Sequence, residues 1–294
     1  MPTQQFKSLA WGILLLLAAI WGTSFILIKR SLVAFSADEV GALRMLTAGI
    51  VLLPFAISNI RKVKGRNWGS LFIVGFLGSF IPAFLFAIAE TQLDSSLAGV
   101  LNALTPIFVL IAGALFFAQR FTKSQIAGIV IGFLGTLFLM FAGANSYLNN
   151  FNFYGLFVVL ATICYGLNAN FIKFNIKGLN SLTITSISLS MVMPIALFYL
   201  LLFTDVPNQL LHEQAARESF MYVSILGIMS TAIAMGLFNK LIQITTPIFT
   251  SSVTYLIPII AVIWGLWDGE ILLSGHFIGM FGILIGVYIT NRKK

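Results

Sequence analysis

Trp21, Ser24 and Phe25 fall within one helical turn of each other, and Tyr165 and Asn168 repeat the mixture of ring and polar group later in the chain. Spacings of three and four residues put such sets on one face of a helix. Asn102 and Thr105 are also three apart, and Thr254 with Tyr255 forms a further pair. Rings, hydroxyls and amides in this arrangement grip an organic solute by stacking and hydrogen bonding. They also serve as glue between helices, where such bonds are worth about 0.6 kcal/mol on average. Neither use breaks covalent bonds. Chemistry of that kind needs paired acids, a His-rich metal site or a Ser-His dyad. The chain has 2 His, 1 Cys and 9 acids, and the acids stand at the ends of apolar runs. No catalytic set, metal site or cofactor is expected. An intramembrane enzyme acting on lipid or peptide is the alternative to a protein that moves a small-molecule solute.

The elements that position these residues follow from composition. Hydrophobic residues are 59% of the 294 positions and charged residues 9%, against about half and about a quarter in soluble domains. The surface must face a lipid bilayer. Apolar runs predict ten helical spans, near 9–28, 38–58, 69–89, 94–117, 124–141, 153–174, 182–203, 220–240, 246–266 and 275–290. They lack the period of two of a barrel strand, so the expected class is all-α integral membrane. Lys7 before the long run from Leu9 reads as the start of the first span, because that run is too long for a signal peptide. The net charge of +8 is carried in short loops rather than on a folded basic face, so no nucleic-acid partner is expected. Cys164, inside a span, can form no internal disulfide.

With the N-terminus inside, Lys7, Arg61, Lys62, Lys64, Arg66, Arg120, Lys123, Lys173, Lys177, Lys240, Arg292, Lys293 and Lys294 are cytoplasmic, thirteen of the 17 Lys and Arg. Asp38, Glu39, Glu90, Asp94, Asp205, Glu213, Glu218, Asp268 and Glu270 are then all outside. This bias predicts both termini in the cytoplasm. An offset of 144 carries Trp21-Gly22 onto Tyr165-Gly166 and Lys29 onto Lys173. An offset of 152 carries Thr105-Pro106 onto Ile257-Pro258, and one of 151 carries Gln119 onto Glu270 and Gly128 onto Gly279. The halves, 1–147 and 148–294, read as five-span repeats, and an odd span number makes them inverted. Inverted repeats place a transporter's site near the midplane.

Ala19-Ile20-Trp21-Gly22-Thr23-Ser24-Phe25 with Lys29, Arg44 in the second span, and Leu93 to Pro106 resemble the drug/metabolite transporter superfamily, and within it the EamA family. The second half is similar from Thr246 through Pro258 to Asp268-Gly269-Glu270 and Gly279. Gln119 departs from the pattern, since the family usually shows an acid there. The resemblance implies a ten-helix, inverted-repeat secondary transporter using alternating access, commonly an exporter in a bacterial inner membrane. Its solutes are metabolites, amino acids or drugs, and it does not fix which.

Further expectations concern moving parts. Pro106 and Pro258 lack a backbone donor at corresponding places and are candidate hinges. Lys29, Glu90 and Asp94 stand at one outer depth and are candidate gate residues, either latched as an ion pair or solvated as ordinary loop charges. Arg44, about two turns into its span, is expected to snorkel toward the headgroups. The central cavity is expected between spans one, three, four, six, eight and nine, with five and ten peripheral. Gly128-xxx-Gly132, Gly275-xxx-Gly279 and Gly282-xxx-Gly286 allow close helix approach, within a monomer or across a homodimer. No phosphate-binding G-x-x-x-x-G-K-[ST] run occurs, so transport would draw on gradients or exchange.

Overall fold

The computed structural model describes residues 4–65, 67–93, 95–143, 153–267 and 274–291, and these contain helices and turns but no strand. Helices α1 (Gln4–Ser31) and α2 (Ala37–Asn59) come first. Next, α3 (Asn67–Gly75) runs through a π-helix, Phe76–Phe80, into α4 (Ile81–Glu90). Helices α5 (Ser95–Asn102) and α6 (Thr105–Phe116) form a broken pair, followed by α7 (Lys123–Gly143), α8 (Gly155–Asn175) and α9 (Ser181–Phe203). A short α10 (Val206–His212) carries His212 in a connection with no expected helix. Then α11 (Gln214–Ile225) passes through a second π-helix, Leu226–Ile233, into α12 (Ala234–Ile244). Helices α13 (Pro247–Ser251), α14 (Val253–Trp267) and α15 (Ser274–Asn291) complete the chain.

Seven continuous helical runs among the described residues are long and apolar enough to cross a membrane. Shorter apolar helices occupy Lys123–Phe138, Pro247–Ile260 and Phe277–Asn291, at the places of the fifth, ninth and tenth expected spans. Large apolar side chains such as Leu16, Leu115, Phe198, Leu201 and Phe281 are exposed. A continuous apolar exterior of this kind has its natural solvent in hydrocarbon.

Local chemistry sets the ends and breaks. Ser36 and Glu39 form a reciprocal capping box that starts α2, which satisfies orphan donors at its first turn. Asp38 beside them accepts from Tyr199 of α9. Pro106 cannot donate to the carbonyl of Asn102, four residues earlier. Helix α5 stops at Asn102, and the Thr105 hydroxyl takes the freed carbonyl at 2.7 Å. Pro258 instead lies inside α14 with no interruption there, and the nearby break is at Ser252. The first π-helix ends against Pro82, whose ring would crowd the carbonyl of Gly78 in a regular α-turn.

Helices α7 and α15 pack on each other through their glycines. A Cβ on Gly286 would lie 2.3 Å from the backbone nitrogen of Gly132, and one on Gly128 would lie 2.4 Å from that of Thr290. Both partners are backbone, so no side chain can swing aside. The Gly-xxx-Gly faces of Gly128 and Gly132 and of Gly282 and Gly286 are therefore spent within the chain.

Candidate functional site

A chamber lies between α1, α2, α4, the α5–α6 break, α8, α12 and α14. The centre of a water molecule fits over about 50 Å³ of it. Five aromatic rings stand in its wall. Trp21 meets Phe238 at 5.3 Å, Phe25 meets Phe86 at 6.0 Å, and Phe86 stacks on Tyr165 at 6.2 Å. Ile28 and Met235 complete the apolar lining. Polar groups enter at few points: Ser24, Asn102, Thr105, Thr254 and Arg44. Ser24, Thr105 and Thr254 donate to carbonyls of their own chain at 2.6, 2.7 and 2.9 Å. They keep acceptor lone pairs. The Asn102 amide oxygen accepts from Thr105 at 3.3 Å.

The second π-helix pins two walls of this chamber. Trp21 Nε1 donates to the carbonyl of Ser230 at 2.9 Å, and Arg44 Nε donates to Thr231 Oγ1 at 2.7 Å. A π-turn displaces donors and acceptors from the regular ladder, and such turns are frequent at functional sites. Gly227, at the start of that turn, admits α2: a Cβ there would meet the Arg44 carbonyl at 2.9 Å.

Of the residues expected to bind a solute, Trp21, Ser24, Phe25, Asn102, Thr105, Tyr165 and Thr254 share the chamber, while Asn168 and Tyr255 do not. Tyr255 follows Thr254 and so points about 100° away around the helix. Its hydroxyl donates to the Ile129 carbonyl at 2.9 Å, and its ring lies against Gly132 of α7. Asn168 is driven into the first π-helix, where a Cβ on Gly78 would be 2.3 Å from its Nδ2. Neither polar atom of that amide has a hydrogen-bond partner among the described residues, although the residue is fully buried.

Two charge expectations are corrected. Arg44 does not snorkel: it is 9% exposed and faces the chamber, which adds α2 to the expected lining. Glu90 is neither solvated nor latched to Lys29. It is 6% exposed, Oε2 accepts from Ser95 at 3.2 Å, and Oε1 has no partner among the described residues, whereas Lys29 is exposed. Asp94, the third gate candidate, lies outside the described residues, as do Asp268 and Glu270. At the other end, Lys173 is not free: its ammonium donates to the carbonyls of Ile242 and Gln243 at 2.9 and 3.4 Å and to that of Thr245. It caps the C-terminus of α12, where a cation is favoured. Gln119 likewise acts in packing, donating to Asn170, whose amide donates to Val109 O at 2.8 Å.

The EamA-like transporter family model matches the chain twice, over residues 9–141 and 152–292. The chain belongs to the EamA-like transporter family. Within the wider superfamily, an "uncharacterized transporter" of Archaeoglobus fulgidus is 26% identical over 97% of this chain and 99% of its own. The "uncharacterized inner membrane transporter YedA" of Escherichia coli strain K12 is 23% identical over 97% of this chain and 91% of its own. A "probable amino-acid metabolite efflux pump" of Salmonella typhimurium is 28% identical over 45% of this chain and 42% of its own. A solved crystal structure superposes with a TM-score of 0.70 over 97% of this chain and 96% of that one, at 17% identity, which shows a shared fold. This EamA-family chain is a multi-pass membrane protein.

Five lining residues were not singled out for binding from the sequence: Ile28, Arg44, Phe86, Met235 and Phe238. Four are apolar and cannot be told from packing residues in a chain this hydrophobic. Arg44 carried a signal, a charge inside a span, but its direction depends on the π-turn that offers Thr231.

Proposed function

We propose that this EamA-family chain is a ten-span secondary transporter that moves a small organic solute, amino-acid-like or drug-like, by alternating access. Its physiological direction is export across a bacterial inner membrane, with both termini in the cytoplasm. The two inverted units are 1–147 and 148–294. The observation that carries this reading is the ring-lined chamber, built from helices of both halves and too narrow for an organic solute in this conformation. Pockets that hold a drug-sized ligand enclose roughly 300–1,000 Å³. The chamber admits water-sized centres over only about 50 Å³, far below that range, so its walls must part to load.

Further support comes from the paired π-helices. They begin at Phe76 and Leu226, 150 positions apart (226 − 76), beside the sequence offsets of 144 to 152. Each interrupts a long run in its own half, so each half has one place where the helix can change its winding. The double family match and the relative named as an efflux pump agree with this reading. The spent glycine faces of α7 and α15 favour a monomer as the transporting unit. Trp21, Phe25, Tyr165 and Phe238 stack on the solute, Asn102 and Thr105 hydrogen-bond to it, and the α5–α6 break at Pro106 bends. Reconstitution in proteoliposomes with labelled amino-acid and aromatic solutes tests the reading. Gradient-dependent, saturable movement is expected, weakened in Asn102→Ala. Product formation without net movement would turn the assignment to an enzyme.

A further inference from the structure

Arg44 is the one charged side chain among those that line the chamber. Its Nε is held by Thr231 Oγ1 at 2.7 Å, its only hydrogen bond among the described residues. That bond is made by the inner nitrogen of the guanidinium, which leaves the two terminal nitrogens and their four N–H groups without an acceptor among the described residues. The residue is 9% exposed, so bulk water cannot serve them freely. Glu90 acts on its charge, but no hydrogen bond joins the two: among the described residues Glu90 receives only Ser95. The other acids near the start of α2 are occupied: Glu39 accepts from Ser36 N at 2.8 Å, and Asp38 accepts from Tyr199.

A buried cation without a bonded counter-ion is costly and marks a place where a charge is expected to arrive. The planar fork of a guanidinium matches a carboxylate through two parallel bonds. Fixing Nε leaves the Nη edge of that fork for the ligand, held in one orientation. The remaining wall is aromatic and aliphatic, with Ser24, Asn102, Thr105 and Thr254 as further polar groups.

Resting on the transporter reading above, we propose that the transported solute is an organic monocarboxylate with an apolar or aromatic body, and that Arg44 is the residue that takes its carboxylate. The body lies among Trp21, Phe25, Phe86 and Phe238, and Thr231 is a positioning residue that acts through Arg44. One guanidinium neutralises one carboxylate. A phosphate dianion would bring a second negative charge into a chamber that offers no second cation among the described residues, so the site prefers the monoanion.

The test uses three probes of one body: 3-phenylpropionate, its neutral isostere 3-phenylpropanamide, and phenyl phosphate. Thermal stabilisation of the purified full chain and counterflow in proteoliposomes are both read. Wild-type protein is expected to bind 3-phenylpropionate at least ten-fold more tightly than the amide, about 1.4 kcal/mol, and more tightly than phenyl phosphate. Arg44→Gln removes that preference, and Arg44→Lys, which keeps the charge without the fork, retains part of it. The wild-type comparison stands even where Arg44→Gln fails to fold. Equal or tighter binding of the amide overturns the carboxylate assignment, and tighter binding of phenyl phosphate overturns the monoanion preference. Counterflow of the amide unaffected by Arg44→Gln would overturn the role of Arg44 while the transporter reading stands. Turnover of every probe without movement would remove both.

Discussion

Thr231→Val isolates the bond that holds Arg44. Valine keeps the branched shape of threonine and removes the hydroxyl that accepts from Nε at 2.7 Å. Thr231 is 1% exposed and Arg44 9%, so water cannot replace the lost acceptor without entering the chamber wall. A hydrogen bond to a charged group contributes about 1.5–3 kcal/mol, and leaving the buried donor unpaired adds the desolvation that the bond had offset. With roughly 2–4 °C of midpoint per kcal/mol for chains of a few hundred residues, Thr231→Val should unfold at least about 3 °C below wild type. The assay is thermal unfolding of purified protein in detergent, followed by tryptophan fluorescence. Thr231→Ser, which retains the hydroxyl, should recover most of the loss. A valine variant that melts with wild type, or a serine variant that melts with the valine one, would refute the claim that this hydroxyl holds the guanidinium.

Gly286→Val should destabilise the chain by about 1–3 kcal/mol or more through overpacking, because its Cβ would lie 2.3 Å from Gly132 N; detergent thermal melts and monomer yield on gel filtration check it. Asn168→Leu replaces two unpartnered buried atoms by a near isostere, a change that is neutral or stabilising when polar atoms have no partner, so the melting midpoint should not fall. Lys173→Met removes the cation from the carbonyls of Ile242, Gln243 and Thr245 and should cost up to about 2 kcal/mol, with Lys173→Arg recovering part in the same melts.

Helices crossing a membrane, and their approximate limits, were legible in the sequence, because hydrocarbon forces each backbone group to bond within its own segment and each side chain to be apolar. Run length against charge therefore locates α1, α2, α8 and α9 directly. Much of the candidate site was legible for the same reason: a polar or ring-polar group such as Trp21, Asn102, Thr105 or Thr254 is conspicuous where almost everything else is aliphatic. Pro106 marked a break because a missing donor acts locally.

Direction was not legible. Asn168 and Tyr255 share the composition of the site residues yet face other helices, since a rotation of about 100° per residue separates lining from packing and only neighbouring helices say which is which. The π-turns at Phe76–Phe80 and Leu226–Ile233 shift that rotation part-way along a helix, so a constant helical period misassigns whatever follows. Arg44 shows the consequence. Its charge and depth in the chain determine that it is costly, but snorkelling outward or turning inward depends on Thr231, 187 positions away. The glycine stripes are alike: small residues permit close approach, and only the packed chain shows that α7 and α15 use it on each other. What one residue does to its own helix is written in the sequence, while what it meets across a helix gap is decided by packing between distant segments.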